Sequence, residues 1–112
     1  MNETAFTRKL RDYVDDNGGG SYKIGASIFM EKGFPDTIFF LKGNTFLLES
    51  KVWPNKPTAI QLEQIRRIRS YGGYAWVCTL KDGIIMLDDV RFDSIQTMFT
   101  FIIKDINAKK TT

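Results

Sequence analysis

Apolar residues along the chain change period several times, and each change marks an element. Asn2 can cap a first helix running to about Asp16, along which Phe6, Thr7, Leu10 and Val14 share one face with Glu3. Asn17-Gly18-Gly19-Gly20 ends it. Tyr22 to about Glu31 has the composition of a strand, and Gly33-Phe34-Pro35 that of a turn. Thr37–Leu41 is a second strand, apolar on both faces. Gly43-Asn44 suits a tight hairpin turn, which demands positive φ, and Thr45 to Trp53 forms the third strand. After a polar loop bounded by Pro54 and Pro57, Thr58 caps a second helix that ends at Gly72-Gly73. Tyr74 to Leu80 and Ile84 to Leu87 are strands joined by an Asp82-Gly83 turn, and a last helix covers roughly Phe92 to Asn107. The expectation is one α/β domain over residues 1–108, with 109–112 a frayed tail. The order α-β-β-β-α-β-β-α implies a central mixed β-sheet flanked by helices.

Composition narrows the chemistry. The chain has 112 residues, 43% of them apolar and 26% charged, enough to bury a core without covalent staples. There is no histidine, which excludes Ser-His-Asp and Cys-His nucleophiles, HExxH zinc sites and Cys/His zinc fingers. Any hydrolytic chemistry rests on carboxylates, lysine, hydroxyls and a hard cation. A lone Cys78, no apolar run of the roughly 18 residues a membrane span needs, and no signal-peptide pattern point to a cytoplasmic protein without membrane association. The net charge of +3 leans mildly towards phosphate-bearing partners.

The third strand carries a charged interruption. Phe46-Leu47-Leu48 and Val52-Trp53 are apolar on both faces, yet Glu49 and Lys51 break the run and point to the same face. Charges on a covered strand are costly unless compensated. A strand end emerging into solvent is the alternative. Pairing about a turn at 43–44 puts Asp36 opposite Lys51, one step from Glu49, so three polar groups converge. Each also has an ordinary explanation, Asp36 for instance as a turn residue after proline. Together, however, two carboxylates can share a Mg²⁺. Such an ion activates water and neutralises phosphoryl charge, while a lysine stabilises the charge that develops.

Helix periodicity adds two candidates. On the second helix Ile60, Gln61, Gln64, Ile65 and Ile68 share a face, with Gln61 near the middle of the stripe. A glutamine there needs partners, which the acidic site or the backbone can supply. Glu3 opens the stripe of the first helix. It serves either the site or simply the helix dipole.

Gly33-Phe34-Pro35-Asp36, then Glu49-Ser50-Lys51, then Gln61 on a following helix, resembles the PD-(D/E)xK nuclease superfamily. Within it the chain is most similar to the VRR-NUC domain, a relative of archaeal Holliday junction resolvases. The resemblance spans most of the chain and implies a restriction-endonuclease-like fold. It further implies Mg²⁺ or Mn²⁺ held by Asp36, Glu49 and the backbone carbonyl of Ser50. Lys51 would be catalytic, with Glu3 and Gln61 in support. Ser50 departs from the aliphatic residue usual between the Glu and the Lys. Minimal versions of this domain are typical of phages and act as homodimers on branched DNA. That implies a magnesium-dependent endonuclease working in a bacterial host cytoplasm, in DNA repair or recombination.

For the last helix, a core face of Phe92, Ile95, Phe99, Ile102, Ile103 and Ile106 leaves Met98 and Phe101 outside it, as a candidate dimer surface. Arg8, Arg11, Lys56, Arg66, Arg67 and Arg69 are phosphate-contact candidates, though most such residues only solvate a surface. Trp53 and Tyr71 carry rings able to stack on bases, with core packing as their ordinary role. A non-catalytic nucleic-acid-binding module on the same fold, a nuclease acting on linear duplex, and a protein-interaction domain are the competing readings.

Overall fold

The computed structural model describes residues 1–25 and 31–111. Helix α1 (Glu3–Asp16) begins where the Asn2 side chain accepts from the Ala5 N–H at 2.8 Å. Its buried residues, Phe6, Thr7, Leu10 and Val14, are those the periodicity singled out. Strands β1 (Gly20–Lys23), β2 (Thr37–Leu41) and β3 (Asn44–Val52) form a meander. The upper part of the expected first strand, residues 26–30, lies outside the described residues. Helix α2 (Ala59–Ser70) then carries the chain to β4 (Ala75–Lys81), parallel to β3. A parallel neighbour requires such a crossover. Strands β5 (Ile84–Leu87) and β6 (Val90–Phe92) and helix α3 (Ile95–Lys110) complete the chain.

The six strands lie in the sheet in chain order, every pair antiparallel except β3–β4. Helices α1 and α3 cover one face over a core that includes Leu10, Phe39, Phe46, Leu48, Phe99 and Ile102. The rings of Phe39 and Phe46 stack at 5.5 Å between centroids. Helix α2 covers the other face through Ile65, Ala75 and Val77. This is the mixed sheet with flanking helices that the pattern implied. Among the described residues no helix is long and apolar enough to cross a membrane.

Four expectations need correction. The hairpin turn sits at Lys42-Gly43, both at positive φ (51° and 77°), not at Gly43-Asn44. Asn44 instead opens β3 and is buried, its amide donating to the Lys42 carbonyl and accepting from the Lys110 ammonium. Strand β6 is an additional element. Because Phe92 belongs to it, α3 starts later, capped by Ser94, which accepts from the Thr97 N–H at 3.1 Å. Met98 is then fully buried in the core and marks no dimer surface, while Phe101 is partly buried and packs on Phe92 at 5.3 Å. Finally, Lys109 and Lys110 are helical and anchored, Lys109 to Asp105 at 2.8 Å, so they are not a frayed tail.

Candidate active site

The shifted turn changes which residues face each other. The register pairs Thr37 with Leu48, so one step further Asp36 opposes Glu49 rather than Lys51. Alternation puts both carboxyls on the sheet face opposite α1 and α3. The two carboxyls lie close enough to act on each other's protonation. Asp36 is held from both sides: Oδ1 accepts from the Thr37 hydroxyl and Oδ2 from the Ser50 N–H, each at 2.7 Å. Lys51 follows on the same face, with Nζ 3.6 Å from Glu49 Oε2 and 3.9 Å from Glu3 Oε1. Asn55 Nδ2 donates to the other Glu3 oxygen at 2.7 Å. The first helix turn, the hairpin and the loop after β3 thus meet at one point.

Gly33 shows why the turn before Asp36 has its sequence. Its φ is +78°, and a Cβ there would lie 2.5 Å from the Ile60 side chain and 2.9 Å from the Gln61 nitrogen. The turn is therefore pressed against the start of α2. Gln64, buried within α2, adds a clamp by donating to the Lys32 carbonyl at 3.1 Å. Gly33→Ala should cost at least about 1–2 kcal/mol from the left-handed backbone alone. It should also lower any activity that depends on Asp36, checked by thermal melting beside a cleavage assay.

Gln61 is placed differently from the expectation. Its side chain completes a capping box: Oε1 accepts from the Thr58 N–H at 2.9 Å, and its own N–H donates to the Thr58 hydroxyl at 3.1 Å. It serves the helix start, and Gln64 is the buried glutamine of the stripe. The pattern Thr58-x-x-Gln61 is the sequence signature of a capping box and points to this role. Nothing in the local sequence marks Asn55, whose partner lies 52 positions away.

Electrostatics single out the carboxyl pair. Burial, then the charge of Asp36, push Glu49 up to about 7, against the pull of Lys51. Burial also raises Asp36, opposed by its hydrogen bonds and by the charge of Lys23. A buried and a half-buried carboxyl, both with raised pKa, are short of positive charge. An oxygen-only donor set of this kind matches a hard divalent cation. Among the described residues, no group of three Asp, Glu, Cys or His side chains is gathered tightly enough to hold a metal alone, so backbone or solvent oxygens would complete the shell. Ser50 supplies its N–H to Asp36, while its hydroxyl is buried with no hydrogen-bond partner among the described residues. Ser50→Ala should therefore raise stability by about 1 kcal/mol, read as a higher denaturation midpoint.

The basic side chains differ in availability. Arg11 is engaged by Ser21, Arg66 by Glu63 and Arg69 by Asp88, while Lys56 lies over the Trp53 ring.

Asp36 stands just before β2, and Glu49 and Lys51 lie on β3, the next strand of the mixed sheet. Two solved structures share this fold. One is Hjc, a Holliday junction resolvase from the archaeal hyperthermophile Archaeoglobus fulgidus, with a TM-score of 0.57 and 18% identity over 75% of each chain. The other is a VRR_NUC domain, with a TM-score of 0.60 and 22% identity over 70% of this chain and 84% of that one. No family model and no curated protein matches the chain.

Proposed function

We propose that the protein is a metal-dependent endonuclease that hydrolyses DNA phosphodiester bonds, acting on branched DNA such as Holliday junctions. The observation that carries this reading is the pairing of buried Glu49 with half-buried Asp36 beside Lys51. A purely structural pair would be stabilised by replacement with apolar residues, and a DNA-binding surface would gain from fewer negative charges. Asp36, Glu49 and the Ser50 backbone would hold Mg²⁺, or Mn²⁺ in its place. When bound, the cation supplies Lewis-acid activation of water and neutralises charge on the phosphoryl group.

The remaining work falls to the chain. Thr37 and the Ser50 N–H fix the Asp36 carboxylate. Lys51 brings a positive charge to the developing phosphorane, and its position is set by Glu49 and Glu3. Glu3, through Asn55, also ties the loop after β3 to α1. Gln61 supports the site indirectly, by fixing the start of the helix against which Gly33 packs.

The junction preference and a homodimer with one site per subunit belong to the same proposal, since a two-fold partner suits a two-fold substrate. A panel of four-way junction, flap and linear duplex of shared sequence, each with Mg²⁺ and with EDTA, tests the reading. Preferential cutting of the junction is expected, with sedimentation reporting a dimer. Equal cutting of the linear duplex would replace the junction preference with general duplex cleavage, and no cutting of any substrate would remove the nuclease reading.

A further inference from the structure

Beyond Lys51 the strand runs one residue further than its regular pairing. The Trp53 N–H donates to the Leu80 carbonyl at 2.9 Å, continuing the β3–β4 ladder. The alternation that aligns Glu49 and Lys51 therefore brings Trp53 onto the same face, two positions past the catalytic lysine. Its register neighbour is Lys81, one step beyond the Val52–Leu80 pair. The Lys81 ammonium lies 4.0 Å from the indole centroid, and that of Lys56 lies 5.3 Å away. Trp53 as a residue nevertheless remains 42% exposed, one of the exposed large hydrophobic residues. It is also pre-positioned: Asn55 closes the following turn by donating to the Val52 carbonyl at 3.0 Å and ties it to Glu3.

An exposed indole flanked by ammonium groups has the make-up of a single-strand platform, in which bases stack on the ring and cations hold the adjoining phosphates. Cation–π attraction between lysine and indole accounts for the lysine positions, but not for a partly exposed tryptophan on the face that carries Glu49 and Lys51; a base would stack where a flexible lysine side chain now lies. A duplex base is already stacked and cannot use the surface; an unpaired base at a branch or a splayed end can. We infer that Trp53, with Lys56 and Lys81, stacks an unpaired nucleobase of the DNA strand whose phosphate lies at the Asp36–Glu49 pair. Trp53 would thereby select DNA with unpaired or branched character. The inference rests on the proposed function in taking DNA as the ligand and in placing its phosphate at the Asp36–Glu49 pair, but not on cleavage.

The test is a binding titration with the full-length Glu49→Gln protein, which holds DNA without cutting it. The probes are a single-stranded oligodeoxynucleotide, a splayed duplex and a blunt duplex of the same sequence. Single-stranded and splayed DNA should quench tryptophan emission, and the quenching should vanish in Glu49→Gln/Trp53→Phe, which retains only the buried Trp76. Trp53→Ala in the same background should weaken splayed-DNA binding about tenfold, the order expected for one stacked base, and blunt-duplex binding by much less. Trp53→Phe should keep most of the affinity. Quenching that persists without Trp53, or equal weakening for splayed and blunt DNA, overturns the inference. Far-ultraviolet melting verifies that each variant is folded. Because binding is read without cleavage, stacking by a protein that cuts nothing would refute the nuclease reading alone. Cutting without stacking would refute this inference alone.

Discussion

Glu49→Gln should reduce Mg²⁺-dependent DNA cleavage by about 10³-fold or more, and should also make the metal-free protein more stable at pH 8. The loss of activity follows from removing the buried one of the two paired carboxylates, and a 10³-fold effect corresponds to about 4 kcal/mol of transition-state stabilisation. The gain in stability has a separate cause. Glu49 titrates near 7 because burial and Asp36 disfavour its charge, so at pH 8 the folded protein carries an anion it holds poorly. A glutamine amide keeps the shape of the protonated acid without the charge. Cleavage gels and thermal melts in EDTA on the same preparations read both effects. Cutting within tenfold of the parent protein would remove Glu49 from the catalytic set. Asp36→Asn and Lys51→Ala should also lose cleavage. Lys51→Ala should not share the gain in stability, since it takes away the cation that steadies Glu49.

The second large effect couples pH to metal. Glu49 has a folded-state value of about 7 against an ordinary 4.5, so its favourable contribution is complete below about pH 4.5 and is lost as pH rises through 7. In EDTA the melting temperature should thus fall by several degrees between pH 5.5 and pH 8. Mn²⁺ or Mg²⁺ should reverse the fall, because the cation takes the place of the Glu49 proton. At a hundredfold excess over the dissociation constant, binding to the folded state alone contributes about 2.7 kcal/mol. Protons compete for the same oxygens, so the metal-induced shift should be small at pH 5.5 and large at pH 8. A shift independent of pH, or one preserved in Glu49→Gln, would show that the cation binds elsewhere.

Periodicity and turn chemistry made much of this architecture readable, and each failure has an identifiable cause. Strands β2 and β5 fall where apolar runs and flanking turns put them, and Thr58 caps α2 as its side chain suggests. Lys42-Gly43-Asn44 contains two overlapping dipeptides able to take positive φ. What selects the first is the burial of Asn44 against Lys110, a contact across 66 positions that no local rule contains. Strand β6 is three residues long, with Asp88-Asp89 before it and Asp93 after it, too short for a period to register. Its existence moved the start of α3, and with it Met98 into the core. At the site, the convergence of Asp36, Glu49 and Lys51 was visible, but their register was off by the same turn residue. Gln61 and Gln64 share a helical stripe, so period alone could not say which one the Thr58 cap would claim.

The strands occupy the sheet in the order of their synthesis. A chain leaving the ribosome can lay each one against the edge of the last, and no strand has to be inserted between two already joined. Such sequential nearest-neighbour assembly favours rapid folding. The insulation arrives last: Met98, Phe99, Ile102 and Ile106, which seal the core, all belong to the closing 16-residue helix. Every group proposed for the chemistry precedes that helix in the chain, yet the sheet that holds the acids in register lacks the cover of α3 until the helix docks. A chain cut before α3 would carry those residues without the rigid frame that holds them in register.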